Sequence, residues 1–126
     1  MIFLETSFLV SFYVEKTEDH EKALKLMKKI KNRELILSQM IIYETLTVLK
    51  KLKQSDDLVG EVYENLMTMK VYDDTGYYDK ALEYTLINNI GFFDNLTYIF
   101  MVNNGIKEIT SFDNDFDIFD DIERIQ

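Results

Sequence analysis

The 126-residue chain has no cysteine, no proline and no tryptophan, and only one histidine, His20. Without cysteine there is no disulfide, thiolate zinc site, iron–sulfur cluster or cysteine nucleophile. One histidine rules out a multi-histidine metal site and leaves His20 as the sole imidazole for acid–base work. The four glycines (Gly60, Gly76, Gly91 and Gly105) are well separated, so no glycine-rich loop exists to cradle a phosphate. Apolar runs such as Tyr98–Val102 fall far short of the ~18 residues a membrane span needs. The opening Met1-Ile2-Phe3-Leu4-Glu5 lacks a basic n-region and meets an acid at once, unlike a signal peptide. The expectation is a soluble, cytoplasmic protein, with residues 1–126 forming a single domain. The chemistry left to it is that of carboxylates, hydroxyls and lysines.

What is present is charge, unevenly placed. The net charge is −9. Residues 1–55 carry 10 basic and 7 acidic side chains, a net of +3; residues 56–126 carry 4 and 16, a net of −12. The basic excess lies in Lys16, Lys22, Lys25, Lys28, Lys29, Lys31 and Arg33, then Lys50, Lys51 and Lys53. The acids are densest in Asp113, Asp115, Asp117, Asp120, Asp121 and Glu123. Bulk charge of this sign repels nucleic acid, so any such partner needs a local basic patch. Lys25, Lys28, Lys29, Lys50 and Lys51 are the candidates. The alternative is two solvated faces.

Hydrophobic periodicity alternates between short apolar runs and helical stripes. Residues 1–4 read as a buried strand, followed by a helix over about 7–15 capped by Thr6 or Ser7. Thr17 is the next N-cap candidate, before Ala23, Leu24, Met27 and Ile30 at helical spacing. Leu35–Leu37 is a second strand, and Ser38 caps a helix through about Gln54. Ser55 starts another helix, and Met69–Asp73 is a weak third strand. Asp73-Asp74-Thr75 caps a helix to about Asn89, Gly91 breaks it, and Phe92–Asn103 is a further helix stopped by Asn104-Gly105. Glu108–Ser111 is a fourth strand and Asp121–Ile125 a possible fifth. The alternation, with no tight hairpin, predicts an α/β fold with a central parallel sheet.

In such sheets ligands bind beyond the carboxyl ends of the strands. Glu5 directly follows the first strand, and Ser111 and Asp113 follow the fourth. Glu44 lies one and a half turns into the helix after the second, in an unusually apolar stretch. Asp94 lies in the first turn after Gly91. Four carboxylates from distant segments can thus meet at one end of the sheet. Clustered like charges repel and raise one another's pKa values. A hard divalent cation relieves this and needs no imidazole or thiolate.

Together these segments resemble a PIN-domain protein, of the kind found as the toxin nuclease of prokaryotic VapBC-type toxin–antitoxin systems. The matching stretches are Phe3–Leu9, Ser38–Leu46, Phe93–Leu96 and Gly105–Phe116, in the family's order and across nearly the whole chain. The resemblance implies a three-layer α/β/α sandwich on a mostly parallel sheet of four or five strands. It implies endoribonuclease activity with Mg²⁺ or Mn²⁺ held by acids. Glu44, Asp94 and Asp113 match the family's acids, with Glu5 in the first acidic position. The metal set is then Glu5, Asp94, Asp113 and Asp115, and Thr6, Ser7 and Ser111 are supporting hydroxyls. An RNA substrate, a small antitoxin and a homodimer are the implied partners. One position departs, because the family usually has aspartate where this chain has Glu5. Glutamate reaches ~1–1.5 Å further, and shifts of ~1 Å in a catalytic constellation cost ~10²-fold in rate. Two other readings stay open: a PIN-fold RNA- or protein-binding module with lost catalysis, and an RNA-processing nuclease without an antitoxin. Asn95, where the family often has alanine, reads as a tolerable change.

Asp113–Asp117 resembles the start of an EF-hand loop, but that loop needs glycine at its sixth position and glutamate at its twelfth. Ile118 and Arg124 occupy them. Asp117, Asp120 and Asp121 read as turn and surface acids, His20 as a surface residue. Tyr43, Tyr77, Tyr78 and Tyr84 read as packing more than base-stacking residues.

Overall fold

A computed structural model describes residues 1–126. Five strands, β1 (Ile2–Leu4), β2 (Leu35–Ser38), β3 (Lys70–Tyr72), β4 (Glu108–Thr110) and β5 (Glu123–Ile125), form one sheet in the order β3-β2-β1-β4-β5. Every pairing is parallel. Ile2 lies opposite Leu35 on one side and Glu108 on the other, and Glu108 lies opposite Glu123. The sheet is therefore five-stranded and wholly parallel, the larger and more regular form of the predicted one. The central strand β1 is fully buried, as suits an apolar run covered on both faces.

Helices α1 (Thr6–Tyr13) and α2 (His20–Ile30) link β1 to β2, and α3 (Gln39–Lys51) and α4 (Asp56–Met67) link β2 to β3. Helices α5 (Tyr78–Ile87) and α6 (Phe92–Asn103) return the chain from β3 to β4. Crossovers between parallel strands are right-handed, so reversing direction along the sheet moves α5 and α6 to the opposite face from α1–α4. The helix contacts agree: α1 packs on α2 and α3, α3 on α4, and α5 on α6. Phe3 of β1 meets Phe100 of α6 with ring centroids 5.7 Å apart, and Tyr72 and Tyr77 close on the same ring. No helix is long and apolar enough to cross a membrane.

Besides α1, which ends at Tyr13 and has Glu5 rather than Thr6 or Ser7 as its N-cap, three boundaries differ from the sequence reading. Thr17 caps nothing: its hydroxyl donates to Val14 O at 2.7 Å, and α2 begins only at His20, whose Nδ1 lies 2.8 Å from Ser11 O. The helix expected from residue 75 opens instead as a 3-10 turn, Thr75–Tyr77, before α5, which ends at Ile87. Its two leading aspartates have parted company. Asp73 bonds the Thr75 N–H and hydroxyl, which lower its pKa. Asp74 turns inward, fully buried, and accepts from Met40 N–H at 3.2 Å and Tyr78 Oη at 3.1 Å. Asp74 thus serves the first turn of α3, where Ser38 makes no side-chain cap bond. Third, α3 ends at Lys51 rather than Gln54, with Lys53 at a φ of 59°. The stop of α6 is as expected: Gly105 takes a φ of 68°, and Ile106 N–H returns to Met101 O at 2.9 Å.

Candidate functional site

The chain leaves β1 toward β2 and β3, then returns to β4 on β1's other side. The crevice beyond the carboxyl ends of β1 and β4 is the switch point where open parallel sheets bind ligands. A cavity of about 480 Å³ opens there, walled by Glu5, Thr6, Ser7, Glu44, Asp94 and Asp113. Val10, Val48 and Phe93 supply apolar wall, and no lysine or arginine lines it.

Glu5 occupies the N-cap position of α1 and is 5% exposed. Its Oε2 accepts from Ser7 N–H at 2.9 Å, Ser7 Oγ at 2.5 Å and Ser111 Oγ at 2.8 Å. Burial pushes its pKa up to about 7, against those bonds, which lower it. The extra methylene is thus used to fold back over the helix start and to join β1 to β4. Ser7 Oγ also accepts from Phe112 N–H at 2.9 Å, and Ser111 Oγ from Asp113 N–H at 3.0 Å. The two serines therefore hold the loop after β4. Thr6 donates to Glu44 Oε1 across the cavity mouth. Burial raises the Glu44 pKa, that bond opposes the rise, and the Asp113 charge adds to it.

The aspartates are arranged differently. Oxygens of Asp94, Asp113 and Asp115 all lie within 4.8 Å of one another. Asp94, the third residue of α6, receives no protein hydrogen bond on its carboxylate. Burial, then the charges of Glu5, Asp113, Glu44 and Asp115, push its pKa up to about 8. Asp113 accepts one bond, from Asp115 N–H at 2.9 Å, which starts the 3-10 turn Asn114–Ile118. Arg124 of β5 anchors that turn through two 2.9 Å bonds to Asp117 and one of 3.2 Å to Ser111 O. Those Asp117 bonds lower its pKa.

All four acids singled out in the sequence thus reach one cavity, and the three hydroxyls reach two of those acids. Of the four residues expected to share a metal, three converge, and Glu5 stands beside the group with its Oε2 committed to serines. The lysines separate. Lys25 and Lys29 line a second groove. Lys50 pairs with Asp56 at 3.0 Å, and Lys51 lines a small cavity with Glu44 and Phe93. Lys28 is exposed and lines neither the acid cavity nor the groove.

Asn95 carries more weight than the sequence suggested. It is fully buried, and its Nδ2 donates to Ile90 O at 3.0 Å, Thr85 Oγ1 at 3.1 Å and Asn88 Oδ1 at 3.1 Å. Its Oδ1 accepts from Asn88 Nδ2 at 2.9 Å. This network fastens the end of α5 and the turn before α6 to the residue next to Asp94. The available signal was a polar side chain one turn before Ile99, on the apolar face of α6.

The model of the PIN domain family matches residues 2–122. Among solved structures, Mycobacterium tuberculosis VapC20, a toxin that cleaves the sarcin-ricin loop, is 21% identical. The superposition covers 98% of each chain with a TM-score of 0.86. VapBC2 from Rickettsia felis, bound to a DNA fragment from its promoter, is 17% identical over 99% of this chain and 98% of that one, with a TM-score of 0.67. A Pyrobaculum aerophilum protein is 16% identical over 98% and 87%, with a TM-score of 0.66. Among curated proteins nothing matches.

Proposed function

This chain belongs to the PIN domain family, and from that premise we propose that it is a divalent-metal-dependent endoribonuclease, the toxin of a toxin–antitoxin module. The observation that carries the reading is the convergence of Asp94, Asp113 and Asp115 at the sheet's switch point, beside a cavity that Asp94 and Asp113 line and no cationic side chain does. Three carboxylates held this close are unfavourable, and burial first, then the neighbouring negative charges, raise the pKa of Asp94. An all-oxygen donor set fits Mg²⁺ or Mn²⁺, which these three aspartates would hold. Bound there, such an ion supplies a water of lowered pKa and positive charge for phosphoryl oxygens. The chain's own residues supply position. Ser7 and Ser111 fix Glu5 beside Asp94, Thr6 fixes Glu44 at the opposite wall, and Arg124 fixes the turn bearing Asp113 and Asp115.

The purified protein should cleave structured RNA only with Mg²⁺ or Mn²⁺. The sarcin-ricin loop belongs among the substrates assayed, because the Mycobacterium tuberculosis neighbour cleaves it. Asp94→Asn should abolish cleavage and preserve the fold. Undiminished cleavage by that variant would sink the assignment. A second reading, a non-cutting PIN-fold binding module, draws on Glu5, whose Oε2 is taken up by three donors. Mn²⁺ binding with no cleavage by either wild type or Glu5→Asp favours it.

An antitoxin protein is the proposed partner, by analogy with the VapBC2 neighbour. A homodimer is proposed too, supported by the apolar side chains α5 leaves in solvent: Leu82 at 52%, Leu86 at 75% and Ile87 at 82% exposure.

A further inference from the structure

We propose that the groove between α2 and the loop after β4 is the track along which the RNA backbone reaches the acid cavity. The inference rests on the nuclease reading above and adds the route and the residues that form it. The groove, about 340 Å³, gathers Lys22, Lys25, Lys29 and Arg124 around Leu26 and Phe112. The three lysines follow at i, i+3 and i+7, on one side of α2, a row of ~10 Å at 1.5 Å per residue. Buried Ala23, Leu26 and Ile30 pin the helix so that this row faces outward.

Two of the four cations are already paired, Lys22 with Asp19 at 3.7 Å and Arg124 with Asp117 at 2.9 Å. Lys25 and Lys29 make no salt bridge, and both are exposed. In a chain of net charge −9, unpaired lysines converging on one concavity mark a place for an external anion. Phe112 gives that anion its identity. Its half-buried ring, 6.2 Å from Phe8, forms part of the groove wall. Cations beside an aromatic face suit phosphate and base together, as in single-strand binding sites. A run of acidic side chains alone leaves the ring unused.

Phe112 also gives the route. It lies between Ser111 and Asp113, and consecutive Cα atoms are ~3.8 Å apart, so groove and acid cavity share one loop as a wall. Ser7 and Ser111 hold that loop in place. A strand lying over Lys25 and Lys29 with a base against Phe112 has its next phosphates directed at the aspartates.

The test uses the full chain with Asp94→Asn to block cleavage, a short fluorescein-labelled single-stranded RNA, and EDTA. Lys25→Ala with Lys29→Ala should lower the slope of log K against log salt by about 1.4 and weaken binding roughly tenfold at about 0.15 M salt, as two lost phosphate contacts require. Lys28→Ala with Lys31→Ala, exposed lysines of the same segment outside the groove, should change it far less. With Asp94 restored, the groove pair should raise KM and leave kcat within about twofold. Equal effects of the two pairs, no RNA binding by the parent, or tighter binding of a labelled oligoglutamate than of RNA each overturn the proposal. RNA binding that depends on Lys25 and Lys29, with no cleavage by the wild type, leaves the track standing and removes the nuclease reading alone.

Discussion

Two kinds of carboxylate meet at the mouth of the sheet's switch point, Asp115 just outside the cavity and the others lining it. The glutamates, Glu5 and Glu44, are held by hydroxyl and amide donors from Thr6, Ser7 and Ser111. The aspartates, Asp94, Asp113 and Asp115, face one another with a single backbone bond among them. The glutamates serve as framework, because these donors fix their geometry and tie β1 to β4 and α1 to α3, although burial still raises both pKa values. Asp94 has no donor inside the protein to answer it, while Asp113 has one amide and the nearby charge of Arg124. A group kept in that condition is destabilising to the fold, and such sites cluster where function demands them.

The largest expected effect sharpens this contrast. Asp94→Asn should lower RNA cleavage by ~10²-fold or more while raising the thermal midpoint of the metal-free protein at pH 8, since it removes a repelled, partly desolvated charge. A fall in midpoint together with activity would erase the distinction between the two groups. Ser111→Ala should behave in the opposite sense. It takes a donor from a buried carboxylate and should cost about 1–3 kcal/mol in urea unfolding.

Asn95→Ala tests the support behind Asp94. Truncation leaves Ile90 O and the Asn88 amide short of partners, for about 1–3 kcal/mol. It should also weaken Mn²⁺ binding, read by calorimetry, because the turn before α6 is freed. Unchanged metal affinity at reduced stability would restrict Asn95 to a folding role.

A smaller and broader effect is the pH dependence. The folded-state pKa values of Asp94 and Glu5 lie near 8 and 7, above ordinary values of 3.8 and 4.5. Between the two limits the folded state binds more protons than the unfolded state, so stability falls as pH rises from about 4 to 8. Saturating Mg²⁺ should flatten this slope by stabilising the charged form. The smallest expected change lies outside the cavity. Thr45 is fully buried with an unpartnered hydroxyl, so Thr45→Val should stabilise by ~0.5–1 kcal/mol and leave cleavage unaltered.

Much of the architecture was legible along the chain. The apolar runs at Ile2–Leu4 and Leu35–Leu37 and the stripe of Phe92–Asn103 follow from local periodicity, and Gly105 stops α6 through a conformation that glycine favours. The acids at strand ends were legible for a similar reason, since a parallel sheet places every strand's carboxyl end on one side. Asp74 was misread because a cap residue's partner can come from elsewhere, and Thr17 because its hydroxyl turns back to Val14 O rather than forward to the next helix. Asp74 caps the start of α3 through Met40, 34 residues earlier. Arg124 could not be joined to the lysines of α2 from sequence, because only the placement of β5 beside β4 brings it there.

Composition and periodicity by themselves determined an α/β chain whose side-chain chemistry is confined to carboxylates, hydroxyls and lysines, because thiols and imidazole clusters are missing. They also placed four acids near one end of a sheet. The tertiary structure alone decided which of those acids are free. Whether a carboxylate is answered depends on donors more than a hundred residues distant, such as Ser111 on Glu5. Hydrogen bonding is short-ranged in space and indifferent to separation along the chain.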